Sequence, residues 1–223
     1  VFGVAVDQER AREKRSTHKA LKTVFAEIAD KKARARRIDG VPTFLHALDI
    51  QTQGWQFGKV VIVAARPSGG KTAFATSTLM SQIEQHDPEK HPMTPTLFFS
   101  LEMDDSELLK RLLTAGAGIS RDELFYGAEP PPTRLQRVVQ VADRIDKAPL
   151  EIDDETPRTV EQIAAEIYRW HRRLTRRSKK SGRFQGQVII DYLTRIKASP
   201  GSRTLQDRVA HSMAVLADVA KRT

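Results

Sequence analysis

The sequence predicts an α/β fold, a mainly parallel sheet flanked by helices and preceded by an N-terminal helix. Three observations lead there. Short β-rich runs alternate with helix-length amphipathic stretches along most of the chain. Those runs are continuously apolar rather than alternating, as strands covered by helices on both faces are. The length of 223 residues suits one sizeable core with an appended arm and hardly two.

The first element is the arm, residues 1–39. From Asp7 to Arg37 the chain is charged and free of Pro and Gly, with Leu21, Val24, Phe25 and Ile28 at the i, i+3, i+4, i+7 spacing of a helical stripe. Two turns of stripe cannot make a core, so this helix is expected to dock on its own domain or in a neighbour's groove. The basic run Lys31, Lys32, Arg34, Arg36, Arg37 then leads to Gly40-Val41-Pro42, the expected entry to a domain over 40–223.

Within that domain the pattern predicts a strand from Lys59 to Ala65, a helix from Lys71, a strand Thr96–Ser100 and a helix from Asp104. It continues with a helix from Thr133, a short strand Leu150–Asp153, a helix from Thr159, a strand Gln187–Tyr192 and a helix from Thr204. Prolines collect in the loops, at Pro130-Pro131-Pro132 and between His86 and Pro95.

Composition narrows the chemistry. Thirty-seven Lys and Arg against 28 Asp and Glu give a net charge of +9, which favours polyanionic partners but is also common on plain soluble surfaces. No cysteine is present, which excludes disulfides and thiolate metal sites and fits a reducing interior, so the cytoplasm is the expected location. The six histidines contain no i, i+4 pair, and zinc is not expected. The apolar start Val1–Val6 is too short for a signal sequence and nothing later approaches a membrane span, so no membrane partner is expected. The missing initiator Met suggests a piece of something larger.

Three stretches carry chemistry. In "AARPSGGKT", Ala64 to Thr72, an apolar run feeds Arg66, Pro67, Ser68, Gly69 and Gly70 into a helix beginning Lys71-Thr72-Ala73. Backbone N–H groups and a helix N-terminus then converge on one anion-sized space, for which a triphosphate is the natural occupant. Lys71 would reach the terminal phosphates and Thr72 would offer a hydroxyl to Mg²⁺. The usual first glycine of such loops is here Ala65, small enough for a modified turn. Next, Asp191 ends an apolar strand, either as a turn former or as an acidic partner for Mg²⁺ beside the phosphate loop. Glu102, after Leu97-Phe98-Phe99-Ser100-Leu101, either polarises the water that attacks the γ-phosphate or complements a helix dipole. Spacing alone leaves both readings open. The basic run from Arg169 to Arg183 fits a nucleic-acid channel, but it fits slightly better the solvated end of a helix whose core face is Val160, Ile163, Ile167 and Leu174.

Taken together, "GVPTFLHALD" (Gly40 to Asp49), "AARPSGGKTAFA", "FSLEM" (Phe99 to Met103), "IDDETP" (Ile152 to Pro157) and "VIIDYL" (Val188 to Leu193) resemble, in the same order, the RecA-like motor domain of DnaB-type replicative DNA helicases, from about Leu21 onward. The family's phosphate loop commonly starts with alanine. The resemblance implies a P-loop ATPase that uses ATP and Mg²⁺. It makes Glu102 the water-activating base, Lys71 and Thr72 the phosphate and Mg²⁺ ligands, and Asp191 the Walker B acid. It further implies a homo-oligomeric, hexameric ring held through the N-terminal helix, single-stranded and forked DNA as substrate, and a primase or helicase loader as partner. Arg203, after the loop Ser199–Ser202, is expected to face the DNA. Phe44 replaces the family's usual glycine and Thr194 its usual glutamine, as in a distant or phage-like member. A sensor strand, a DNA loop and an arginine finger are expected beyond Thr223, so the family's C-terminal part is taken as missing. Two other readings remain: a DNA-dependent ATPase of the RecA superfamily without unwinding activity, and a docking module for a helicase or loader.

Overall fold

The computed structural model describes residues 21–26, 38–89, 92–127, 129–156, 158–177, 185–197 and 204–223. The chain divides into two compact units, Val1–Arg37 and Ile38–Thr223. In the first, residues 21–26 are helical (α1) and present Leu21, Val24 and Phe25 as exposed side chains. Ile28 and the basic run lie outside the described residues.

Among the described residues, the second unit is built on three parallel strands, β1 (Thr96–Ser100), β2 (Leu150–Asp153) and β3 (Gln187–Asp191), in the order β2-β1-β3. The central strand reads TLFFS and is buried throughout. Its side chains alternate between two cores, as the twofold period of a strand requires. Leu97 and Phe99 pack with Val160, Ile163, Ile167 and Trp170 of α7 (Val160–Arg177) and with Leu216 and Val219 of α8 (Leu205–Arg222). Phe98 points to the other face, against Leu79, Met80 and Ile83 of α3 (Lys71–Glu84), Leu108 and Leu112 of α4 (Asp105–Ala117) and Val141 of α6 (Pro132–Lys147). This two-sided cover is why the strands are apolar without alternation.

Helix starts follow their caps. Asp104 accepts the Glu107 amide at 2.7 Å, Ser120 accepts from Glu123 ahead of the short α5 (Arg121–Phe125), Pro132 opens α6, and Thr204 with Asp207 forms a reciprocal capping box at α8. Among the described residues no helix is long and apolar enough to cross a membrane.

The strand predicted from Lys59 to Ala65 is not in the sheet. Residues Val60 to Val63 carry no ladder pairing and are 37–64 % exposed. Apolar, β-branched composition expresses a preference that only a paired neighbour realises, and among the described residues β3 pairs with β1 along one edge only.

The segment ahead of this stretch is too short in its elements to show a helical or strand period. It forms α2 (His46–Thr52) and an antiparallel bridge between Val41 and Trp55. Asp49 holds the turn together, its carboxylate accepting from the Thr43 amide and hydroxyl and from the Phe44 amide at 2.8–2.9 Å. The segment docks on α3 through Gln82 Nε2 to Pro42 O and an edge-on contact of Trp55 with Phe74. Phe44 sits at φ 61°, left-handed backbone that glycine adopts without cost.

Candidate functional site

The loop from Ala65 to Gly70 turns sharply, with the Gly69 amide donating to Arg66 O at 2.9 Å and Ser68 at φ 59°. A Cβ on Gly69 would lie 2.8 Å from Arg66 O and 3.0 Å from Ala65 Cβ, so glycine is required there. Given a glycine at 69, the methyl of Ala65 is accommodated where such loops usually carry glycine. Gly70, at φ 85°, precedes the first turn of α3 and provides no side-chain cap. The N–H groups of Lys71, Thr72 and Ala73 have no carbonyl within the helix to bond, and the helix dipole adds partial positive charge at the same point. Lys71 Nζ folds over the loop, donating to Ala65 O at 3.2 Å and Arg66 O at 3.4 Å. Arg66, Pro67 and Ser68 are exposed around this opening.

Strand register brings two carboxylates to the same edge. Ser100 pairs with Asp191, and the Leu101 amide donates to Asp191 O at 2.8 Å. Asp191 is 5 % exposed. The Thr72 hydroxyl lies beside its carboxylate, while Oδ2 is buried with no hydrogen-bond partner. Burial pushes the Asp191 carboxyl above its ordinary value, and the negative charge of Glu102 adds to the rise. The Thr72 hydroxyl, Arg111 and Lys71 oppose it. A buried carboxylate oxygen without a donor, next to a hydroxyl at the mouth of a phosphate-type loop, is a hard oxygen donor set suited to Mg²⁺ shared with a phosphate chain. The residues present therefore fit that ion.

Glu102 lies two residues beyond β1. The Ser100 hydroxyl donates to Met103 O at 2.6 Å and closes the turn that carries it. The cap of the following helix is Asp104, and Asp105 and Glu107 occupy its first turn, so Glu102 stands outside α4. Its side chain meets Arg195 Nη2 at 3.3 Å. Arg195 in turn lies 5.6 Å from the Tyr192 ring centroid and donates through Nε to Tyr192 Oη at 3.2 Å, and Lys71 Nζ lies 5.8 Å from the same centroid. Lys71, Thr72, Glu102 and Asp191 thus share one site. Tyr192 and Arg195 belong to it although the sequence reading passed over them; their nearness to Asp191 in the chain was the available signal.

Arg203 lies outside the described residues. On α7, Arg169 and Arg173 are engaged with Glu166, Arg173 also reaches Glu151, and Trp170 is buried.

Parallel strands covered on both faces, a glycine-turned loop feeding a helix, and a strand-ending carboxylate beside it define an α/β domain of the phosphate-binding-loop class. The model of one family, the DnaB-like helicase C terminal domain, matches residues 40–223, and the chain belongs to it. It is 32 % identical over 202 residues to a replicative DNA helicase DnaB of Leifsonia xyli and 34 % identical over 210 residues to that of Rhodothermus marinus. It spans 91 % and 93 % of itself in these matches, but 41 % and 20 % of the relatives' own lengths. A solved DnaB-like replicative helicase, described with its interactions with primase, superposes with a TM-score of 0.73 at 25 % identity, over 92 % of this chain and 45 % of that one. The ATPase domain of G40P gives 0.72 at 25 % identity, over 93 % and 67 %. The fold is accordingly that of RecA-like ATPase domains.

Proposed function

We propose that the chain is the motor domain of a ring-shaped replicative helicase, which hydrolyses ATP, translocates on single-stranded DNA and separates the duplex at forks in the cytoplasm. The observation that carries this is the meeting of the loop's free amides, Lys71, the Thr72–Asp191 pair and Glu102 at one sheet edge. In this reading the loop from Arg66 to Ala73 cradles the phosphates, its unbonded N–H groups, above all those of Lys71, Thr72 and Ala73, donating while Pro67, which has no N–H, only shapes the turn, and Lys71 neutralises their growing charge. Thr72 and Asp191 would hold Mg²⁺, which would supply neutralisation of the phosphate charge. Glu102 accepts a proton from the attacking water as the γ-phosphorus leaves its bridging oxygen. The ring is a hexamer assembled through the N-terminal helix, whose exposed Leu21, Val24 and Phe25 suit a neighbour's surface. An arginine supplied across that interface completes the site, and Arg203 contacts the DNA. Primase or a loader is a further partner, primase by analogy with the solved neighbour described with it.

The test separates binding from chemistry. Lys71→Ala is expected to lose nucleotide affinity together with turnover, whereas Glu102→Gln keeps affinity and slows phosphate release by about 100-fold or more. Fluorescent-nucleotide binding and phosphate release, measured on the assembled protein with single-stranded DNA, read both. Wild-type turnover by Glu102→Gln would remove Glu102 from the chemistry.

A further inference from the structure

We propose that Arg195 is a positioning residue for Glu102, holding one carboxylate oxygen so that the other faces the attacking water. The proposal rests on the reading of Glu102 as the base. It starts from the backbone. Arg195 ends a single 3-10 turn, Leu193–Arg195, directly after β3. That turn is fixed at both ends: the Arg195 amide donates to Tyr192 O at 3.0 Å, Ile196 is buried, and the Lys197 amide donates to Arg158 O at 2.7 Å. The guanidinium is fixed as well, by Tyr192 Oη on Nε and by the Tyr192 ring beneath it. What remains free is the end that carries Nη2, and this end meets Glu102 Oε1 at 3.3 Å, across 93 residues of sequence.

Stability does not account for this contact. The two side chains are 53 % and 40 % exposed, and such surface pairs contribute about 0–1 kcal/mol. Geometry does account for it. Glu102 leaves the backbone from a turn rather than from a helix or strand, and its long side chain is otherwise free to rotate away. A base works when a third group orients it, and a planar guanidinium locked at Nε is a rigid donor for that purpose. Binding at Oε1 leaves Oε2 to accept from water. The same tyrosine ring is approached by Lys71, so one side chain registers the phosphate-binding cation and the base-holding cation against each other.

The experiment is steady-state ATP hydrolysis by the assembled protein with single-stranded DNA. It compares wild type, Arg195→Ala, Arg195→Lys, Glu102→Gln and the Arg195→Ala/Glu102→Gln double variant, with nucleotide binding and thermal melts alongside. Arg195→Ala is expected to lower kcat about 10-fold with KM for ATP and the melt unchanged, a share of the roughly 10²–10⁴-fold that a positioned base supplies. Arg195→Lys is expected to recover part of the loss, and Arg195→Ala on the Glu102→Gln background to cost nothing more, because its effect passes through the absent carboxylate. Unchanged or raised kcat in Arg195→Ala, an equal loss on both backgrounds, or a loss confined to KM would overturn the proposal, the last by making Arg195 a phosphate ligand. Those results leave a slow Glu102→Gln intact, so failure here is distinct from failure of the base itself, which wild-type turnover by Glu102→Gln alone reveals.

Discussion

Replacing Asp191 by asparagine is expected to stabilise the fold and disable the site, and the two effects come from the same atom. Asp191 is buried beside the Thr72 hydroxyl and leaves Oδ2 unpartnered. A buried acceptor without a donor costs about 1–3 kcal/mol, and its charge adds to that cost. Asparagine keeps the shape and an acceptor oxygen beside Thr72 while discarding the charge, at the expense of a new unpartnered amide hydrogen. A net gain of about 1 kcal/mol corresponds to a rise in melting temperature of about 2–4 °C for a domain of this size. The pH dependence follows from the direction of the shift. Because the folded-state pKa is raised above the ordinary 3.8, the folded protein holds this proton more tightly than the unfolded chain. That contribution is fully present below 3.8 and is lost as pH rises through the folded value. The asparagine variant lacks the term, so its advantage is absent at acid pH and opens as pH rises toward neutrality. Mg²⁺ with a nonhydrolysable nucleotide reverses the order. Ligand at 100 times its Kd stabilises wild type by about 2.7 kcal/mol, and the variant, lacking the carboxylate proposed to hold the ion, is expected to gain less. Thermal melts of both proteins from pH 4.5 to 8, with and without the Mg²⁺–nucleotide complex, test each step. A variant that melts below wild type at pH 7.5 without ligand would show that the ionised carboxylate supports the fold, and the reasoning from the orphaned oxygen would be wrong.

Two further substitutions address the backbone. Phe44→Gly relieves left-handed φ in a side chain that is 43 % exposed; set against the greater freedom of glycine in the unfolded chain, the expected net gain is about 0.5–1 kcal/mol, read as a higher melting temperature. A lower one would mean that the Phe44 ring contributes more by packing than its backbone costs. Gly69→Ala places a methyl 2.8 Å from Arg66 O, so the loop must open; nucleotide affinity is expected to drop at least about 10-fold (1.4 kcal/mol) while the melt without nucleotide stays nearly constant, because the loop is exposed. Undiminished affinity would show that the loop binds phosphate in a different shape.

How much of this was legible in the sequence depended on whether the signal was local. β1 and β2 fall at their expected residues, β3 ends one residue early, and the helices after Asp104, Thr159 and Thr204 begin where a cap or strand end is written into a few adjacent residues. The short α2 and α5, at 7 and 5 residues, are too brief to show a 3.6-residue period. The run from Lys59 to Ala65 misled for the opposite reason. Its composition is that of a buried parallel strand, yet strand formation is a property of pairs, and a single segment does not display its partner.

The same division runs through the site. The loop from Arg66 to Thr72 is local and could be read residue by residue, as could an acid at the end of an apolar strand. That Thr72 lies beside Asp191 depends on which strand neighbours α3, a long-range fact. Glu102 shows most clearly what the third dimension adds. On spacing alone it could equally have served a helix dipole, but Asp104 performs the capping and α4 starts at Asp105, so the glutamate has no structural task in that helix. Its one described ion-pair partner is an arginine 93 residues away, itself anchored on the tyrosine that follows Asp191. A carboxylate with no role in its own element, held by a cation with no role in the core, beside a second carboxylate whose buried oxygen lacks a donor, is an arrangement that folding energetics does not require. The chemistry proposed for Glu102 and Asp191 would require it, and sites of that kind are where local stability is given up for geometry.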